Sequence, residues 1–326
     1  MLYNELKIMK ASDPVAGASS GCLAAMVANG IFPPKTMKEE LETLSEFCSS
    51  HGNCGWQLKE EVAKVIRQQL GGDAAERVNK HGRTYIAITF PDPAGKKPAE
   101  QRLISRFKDT EDLIQAGEAS IYVPLWGGPT MTTTFRGEPA YDGSVAGPGS
   151  GYLPCPPNVT YCIRINARPA GQTVLGYLTS DFIRDAPGSA AFLATAVGKT
   201  VLNGNLASGA TRAVGAYAAG SPQKVVNEAG MLVQLLAAIN KQVMPGEGDA
   251  DIWPGRRHKL PVSPYVWTGW AGAPPGHEGL YQMYELGRAE ALTWALEAGF
   301  PQAKGCNLER RTGPMAIGPT PKPKRR

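Results

Sequence analysis

Ser19 stands in Gly17-Ala18-Ser19-Ser20-Gly21, a G-x-S-x-G pentapeptide. In that pattern the serine occupies a sharp turn between a strand and a helix. Its hydroxyl projects from the sheet edge and faces the positive end of the helix, which favours developing negative charge. The neighbours agree: Val15-Ala16 begins a short buried strand, and Cys22 to Asn29 is small and apolar before Gly30. Ser19 is therefore a candidate nucleophile, and such a serine needs a base. The histidines are His51, His81, His258 and His277. Ser19, Asp142 and His258 or His277 follow the order of a Ser–Asp–His triad on an α/β-hydrolase fold. That fold sets several strands before its elbow, whereas eighteen residues precede Ser19, so the triad is the weaker alternative.

The elements that must position Ser19 are legible from periodicity. Residues 2–11 have a helical pattern, with Leu2, Leu6 and Met9 on one face and Ser12-Asp13-Pro14 as the stop. Residues 36–50 and 58–70 read as amphipathic helices, and Arg83–Phe90 as a β-branched and aromatic strand. Arg102–Phe107 is expected to return beside it. Thr110 is expected to cap a helix that carries Glu111 and Asp112 in its first turn. Residues 127–151 are dense in Gly, Pro and Thr and read as loop with short extended pieces, and Asn158–Asn166 as a strand. Residues 186–222 are rich in Ala, Gly, Ser and Thr. Helices are expected over 227–243 and 279–299, with an irregular stretch between them.

Three stretches carry a resemblance together. Val15-Ala16-Gly17-Ala18-Ser19-Ser20-Gly21-Cys22 resembles the elbow of the patatin-like phospholipases. Arg102 to Pro124 resembles the stretch before the catalytic aspartate in the adipose triglyceride lipase-like branch. Glu138-Pro139-Ala140-Tyr141-Asp142-Gly143-Ser144 is similar to the family's Asp-Gly-Gly or Asp-Gly-Ala motif, with Ser144 at the last position. Asp-Gly alone is usually a turn; its order after the other two stretches gives it weight. The resemblance implies a three-layer α/β/α sandwich around a mostly parallel sheet, and a Ser–Asp dyad. Ser19 would attack an ester carbonyl, and Asp142 would take the proton directly, its pKa raised by burial. The motif residues are Gly17, Ser19, Gly21, Asp142, Gly143 and Ser144. The family carries its glycine-rich oxyanion loop on a first strand about thirty residues before the nucleophile. That strand is expected to be missing here, which would leave a sheet edge exposed.

The expected organisation is a patatin-like core over 1–168, a helical and irregular region over 169–314, and a disordered basic tail over 315–326. No metal or cofactor is expected. The substrate implied is a lipid ester at a membrane or lipid-droplet surface, reached from the cytoplasm. The formal charge of +5 falls short of a nucleic-acid binder's excess, and no nucleic-acid partner is expected. The six cysteines fit no zinc spacing, and in a chain of this length they are expected to be reduced. Trp253, Trp267, Trp270 and Tyr265 could line an acyl-chain lip, although core packing is the commoner role of such residues. A catalytically silent lipid- or protein-binding module on the same fold is the alternative of a different class.

Overall fold

The computed structural model describes residues 2, 5–10, 12–50, 57–92, 97–124, 127–128, 130–146, 153–171, 249–270, 274–304 and 306. The Ala- and Gly-rich stretch over 186–222, the helix expected at 227–243, the tail over 315–326 and His51 lie outside them. The fold is mixed α/β. Strand β1 (Val15–Ala18) leads into helix α1 (Ser20–Ala28), followed by α2 (Pro34–Ser50), α3 (Leu58–Gln69) and α4 (Ala74–His81). Then come β2 (Thr84–Phe90), β3 (Glu100–Ile104), α5 (Thr110–Ser120), β4 (Thr133–Phe135) and β5 (Glu138–Asp142). Helices α6 (Pro264–Gly269) and α7 (His277–Glu297) follow.

Five strands form one sheet, and β2 is its axis. β1 pairs with β2 in parallel, Ala18 opposite Ala87. β3 and β5 both pair with β2 antiparallel, and β4 pairs with β5 antiparallel. The mostly parallel sheet expected from the resemblance is thus not the arrangement of the described strands, of which only β1 and β2 run together. The reason is local. The segments Pro91–Ala99 and Arg136-Gly137 are too short to carry a crossover of a dozen or more residues, so the chain turns straight back. β1 lies at the edge of the described sheet.

The sheet's main core is built by Ile86 and Ile88 of β2, Met26 of α1, Ile66 of α3, Leu113 of α5, and Phe32 and Phe135, all fully buried. α5 has strong local reasons to form. Asp109, rather than the expected Thr110, caps it by accepting the Asp112 N–H at 2.8 Å. The buried Asp112 carboxylate then takes Nε and Nη2 of Arg136 at 2.9 and 2.6 Å. This bidentate pair, above all, holds the Asp112 carboxyl below its ordinary range. Arg136 and Gly137, with φ of 50° and 85°, make the two-residue turn between β4 and β5. Two successive positive φ values give the type I′ geometry that matches strand twist. Arginine is a costly residue for the first position, and its pairing with Asp112 and its seat 4.9 Å over the Phe135 ring offset that cost.

A second cluster joins the two ends of the described chain. Leu2 and Leu6 pack with Ile252, Leu292, Trp294 and Ala295, and Glu5 meets Arg288 of α7 at 2.9 and 2.5 Å. The helix expected over 2–11 is absent as a consequence. Lys7 takes φ 54°, and the Ile8 and Met9 N–H groups both turn back to the Leu2 carbonyl. Burying Leu2 and Leu6 under α7 outweighs a weak local preference.

Asn158–Asn166 is likewise no strand. Cys155 and Cys162 form a disulfide with Cα atoms 6.0 Å apart, where seven extended residues would span roughly 23 Å. Only an isolated parallel bridge, Ile165 to Ile252, is left of it. Cys48 is also disulfide-bonded, whereas Cys22 and Cys306 are free. The reduced thiols expected from chain length are therefore corrected, and disulfides belong to oxidising surroundings. Trp267 is buried and donates to the Ala167 carbonyl at 2.9 Å, so it packs and does not line a lip. No described helix is long and apolar enough to cross a membrane. Alkylation of the denatured, unreduced chain is expected to modify Cys22 and Cys306 and to spare Cys48, Cys155 and Cys162. Mass spectrometry reads the result, and modification of Cys155 would restore the reduced-thiol expectation.

Candidate active site

The register of three strands brings Ser19 and Asp142 together. β3 covers Ile86 to Phe90 along one edge of β2. β1, which pairs with Thr84 to Ala87, and β5, which pairs with Ile88 and Thr89, must therefore share the other edge. They run towards each other along it. β1 ends at Ala18 opposite Ala87, and β5 ends at Asp142 opposite Ile88. The C-terminal ends of both strands thus meet at one point of β2, with Ser19 emerging from one and Asp142 from the other.

Both turns at that point are sterically committed. Ser19 has φ 55° and ψ −134°, a conformation that side chains other than glycine rarely adopt and that costs ~1–3 kcal/mol. It lets the chain reverse from strand into helix within one residue. A Cβ on Gly17 would lie 1.9 Å from the Gly21 carbonyl oxygen, so the strand and α1 touch backbone to backbone. Gly21 itself has open space where a side chain would project. Of the two glycines in the pentapeptide, only Gly17 is demanded by contact. On the other strand, a Cβ on Gly143 would lie 1.9 Å from the Ala87 carbonyl oxygen. The glycine of the Asp-Gly pair is what allows β5 to end this close to β2.

The Asp142 carboxylate is buried, and its two oxygens differ. Oδ1 accepts the Ser144 N–H at 2.9 Å and the Ser144 hydroxyl at 2.5 Å. Oδ2 has no hydrogen-bond partner. The Ser19 side chain acts on the carboxylate as a hydrogen-bonding group and favours its charged form. Burial raises the Asp142 pKa above the ordinary carboxylate value, against the opposing pull of Ser144, Ser19 and the positive charge of Arg168. A buried carboxyl with one oxygen anchored and the other free, beside a strained serine, has the form of a general base. Ser20 and Gly21 begin α1, where a helix's first N–H donors as a rule find no acceptor one turn back.

The other candidates fall elsewhere. His258 Nε2 is bonded to Thr293 Oγ1 at 2.8 Å, and His277 Nδ1 faces Glu42 at 3.3 Å. Neither is among the groups that act most on Asp142. Cys22 is fully buried beside the site, and burial pushes its thiol up to about 12, so it is unsuited to act as a thiolate. Among the described residues no group of His, Cys, Asp and Glu has the makings of a metal site.

Sequence reasoning passed over Ser120, Tyr122 and Gln101. The Ser120 hydroxyl accepts the Ser19 N–H at 3.0 Å, and its carbonyl accepts the Gly143 N–H at 3.1 Å. The Tyr122 carbonyl accepts the Asp142 N–H at 2.8 Å, and Gln101 Nε2 donates to the Gly143 carbonyl at 2.6 Å. A usable signal existed for Ser120 alone, a hydroxyl on the helix face that Leu113 and Ala116 commit to the core.

Comparisons with family models, curated proteins and solved structures find no match to this chain.

Two stability measurements check this geometry. Gly17→Ala and Gly143→Ala are each expected to lose about 3 kcal/mol or more in urea unfolding, because backbone must move to admit the methyl group. Gly21→Ala is expected to stay within about 1 kcal/mol of the parent. Equal losses at all three positions would contradict the backbone contacts. For Asp142 the folded pKa is raised, so its contribution to stability is greatest below the unfolded carboxylate pKa. It declines as pH rises from there through the raised value. Asp142→Asn keeps an oxygen for Ser144 and removes the buried charge. It is expected to melt above the parent at pH 7 and to lose that advantage at pH 3. A lower melting point at pH 7 would contradict the raised pKa.

Proposed function

We propose that this chain is an acyl-ester hydrolase of lipids that works through a Ser–Asp dyad. The observation that carries the reading is the end-to-end meeting of β1 and β5 on one edge of β2. It sets a strained Ser19, at the N-cap position of α1 with its side chain making no cap bond, against a buried carboxylate whose Oδ2 has no other partner. In the proposed reaction Asp142 accepts the Ser19 proton as Oγ adds to the ester carbonyl. The same proton then passes to the leaving alcohol as the tetrahedral intermediate collapses to an acyl-enzyme. Water, deprotonated by Asp142, releases the acid. N–H groups at the start of α1 are the proposed donors to the developing oxyanion.

The lipid class of the substrate rests on the likeness of three ordered stretches to the patatin-like phospholipases, from Val15, from Arg102 and from Glu138. The three-layer α/β/α sandwich and a working place at a lipid surface belong to the same proposal. The alternative of a different class is a catalytically silent lipid- or protein-binding module on the same fold.

Hydrolysis of short 4-nitrophenyl esters and labelling by a fluorophosphonate decide between the two. Ser19→Ala and Asp142→Asn are each expected to lower kcat by about 10³-fold or more, and labelling is expected to map to Ser19. kcat/KM is expected to rise with pH through one ionisation above the ordinary carboxylate range, since only the charged Asp142 accepts a proton. His258→Ala and His277→Ala are expected to leave the rate within twofold. Hydrolysis that survives Ser19→Ala would overturn the reading, and a folded chain that neither turns over nor labels would favour the silent module.

A further inference from the structure

The two halves of the candidate dyad come from strands that do not bond to one another. β1 and β5 each pair with β2, and no ladder pairing among the described strands joins them to each other. Something beside the sheet must therefore fix how far Ser19 stands from Asp142. We propose that Ser120 is a positioning residue for the Ser19–Asp142 pair, its hydroxyl holding the backbone of one and its carbonyl the backbone beside the other.

Four observations support this. Ser120 is fully buried at the C-terminal end of α5. Its Oγ accepts from the Ser19 N–H at 3.0 Å, across 101 residues of sequence. Its carbonyl oxygen, left without a helical donor at the end of α5, accepts from the Gly143 N–H at 3.1 Å. Two residues on, the Tyr122 carbonyl accepts from the Asp142 N–H at 2.8 Å. One helix end thus holds both strand ends. The backbone of Ser19 is strained and persists only if its surroundings over-determine it. The Ser120 hydroxyl makes the side-chain hydrogen bond to that backbone. It also lies against the Cys22 thiol, one turn into α1, so it touches the elbow on both sides of the serine.

The side chain and the main chain of Ser120 have separable roles. Removing the hydroxyl frees Ser19 but leaves both carbonyl bonds to the Asp142-Gly143 turn intact. The expected fault is therefore a misplaced nucleophile beside a correctly placed base. A displacement of about 1 Å costs on the order of 10²-fold in rate.

This inference rests on the proposed dyad for its effect on rate, but not for its effect on geometry. The full chain carrying Ser120→Ala is expected to show kcat on 4-nitrophenyl butyrate lowered about 10²-fold, with KM within twofold. The same variant is expected to exchange its Ser19 amide hydrogen at least tenfold faster. Ser120→Thr, which keeps the hydroxyl, is expected to recover most of both. If its added methyl group prevents folding, Ser120→Cys serves as the near-isosteric control with a weak acceptor, and it is expected to fall between parent and Ser120→Ala in exchange rate. Parent-like amide exchange at Ser19 in a folded Ser120→Ala protein would overturn the proposal, whatever its activity. Faster exchange in a chain without Ser19-dependent hydrolysis would uphold the positioning role and remove the hydrolase reading instead.

Discussion

A strand has two hydrogen-bonding edges, and β2 divides one of them between partners that arrive from opposite directions. Because β5 occupies the places opposite Ile88 and Thr89, β1 cannot extend past Ala87. It must leave the sheet there, and Ser19 is where it leaves. The same limit acts on β5, which ends at Asp142 because the next place on β2 belongs to β1. Gly143 makes this crowding possible, since any side chain at that position would strike the Ala87 carbonyl. The juxtaposition of a hydroxyl and a carboxylate then follows from how backbone donors and acceptors on a single strand are shared, before any attraction between the two side chains is considered.

Helix α5 lies along this junction and holds β5 at both ends. At its start, Asp112 secures Arg136 in the hairpin that launches β5; at its finish, Ser120 and Tyr122 take the N–H groups of Gly143 and Asp142. The lengths agree. Eleven helical residues rise about 16 Å and five strand residues about 17 Å, so helix and strand span the same distance. The main core beneath α5 is built of side chains with little freedom to shift, among them Ile66, Ile86, Ile88 and Leu113.

Local signals in the sequence were legible where one residue type admits one explanation. Gly17-Ala18-Ser19 reads as an elbow, and the angles at Ser19 agree. Arg83–Phe90 reads as a strand and is one from Thr84 onward. The amphipathic helices from 36 and 58 appear as α2 and α3, and the long helix expected from 279 begins at His277. Signals failed where a distant partner decided the outcome. The first residues have a helical pattern, but Arg288 and Trp294 settle their conformation from the far end of the chain. Asn158–Asn166 alternates like a strand, but a bond between Cys155 and Cys162 folds it back. Asp142 drew notice through its motif, whereas the partners that hold its backbone lie on α5, and a carbonyl leaves no mark in a sequence.

The union of the first residues with α7 bears on how the polypeptide matures. Leu2 and Leu6 are synthesised some 290 residues before the surface around Leu292 and Trp294 that covers them, and the Glu5–Arg288 pair spans 283 residues. At ~5–20 residues per second that separation is a wait of roughly 15 to 60 seconds. Through that interval Leu2 and Leu6 stay without the side chains that bury them, and native packing of this cluster can close only after α7 is made.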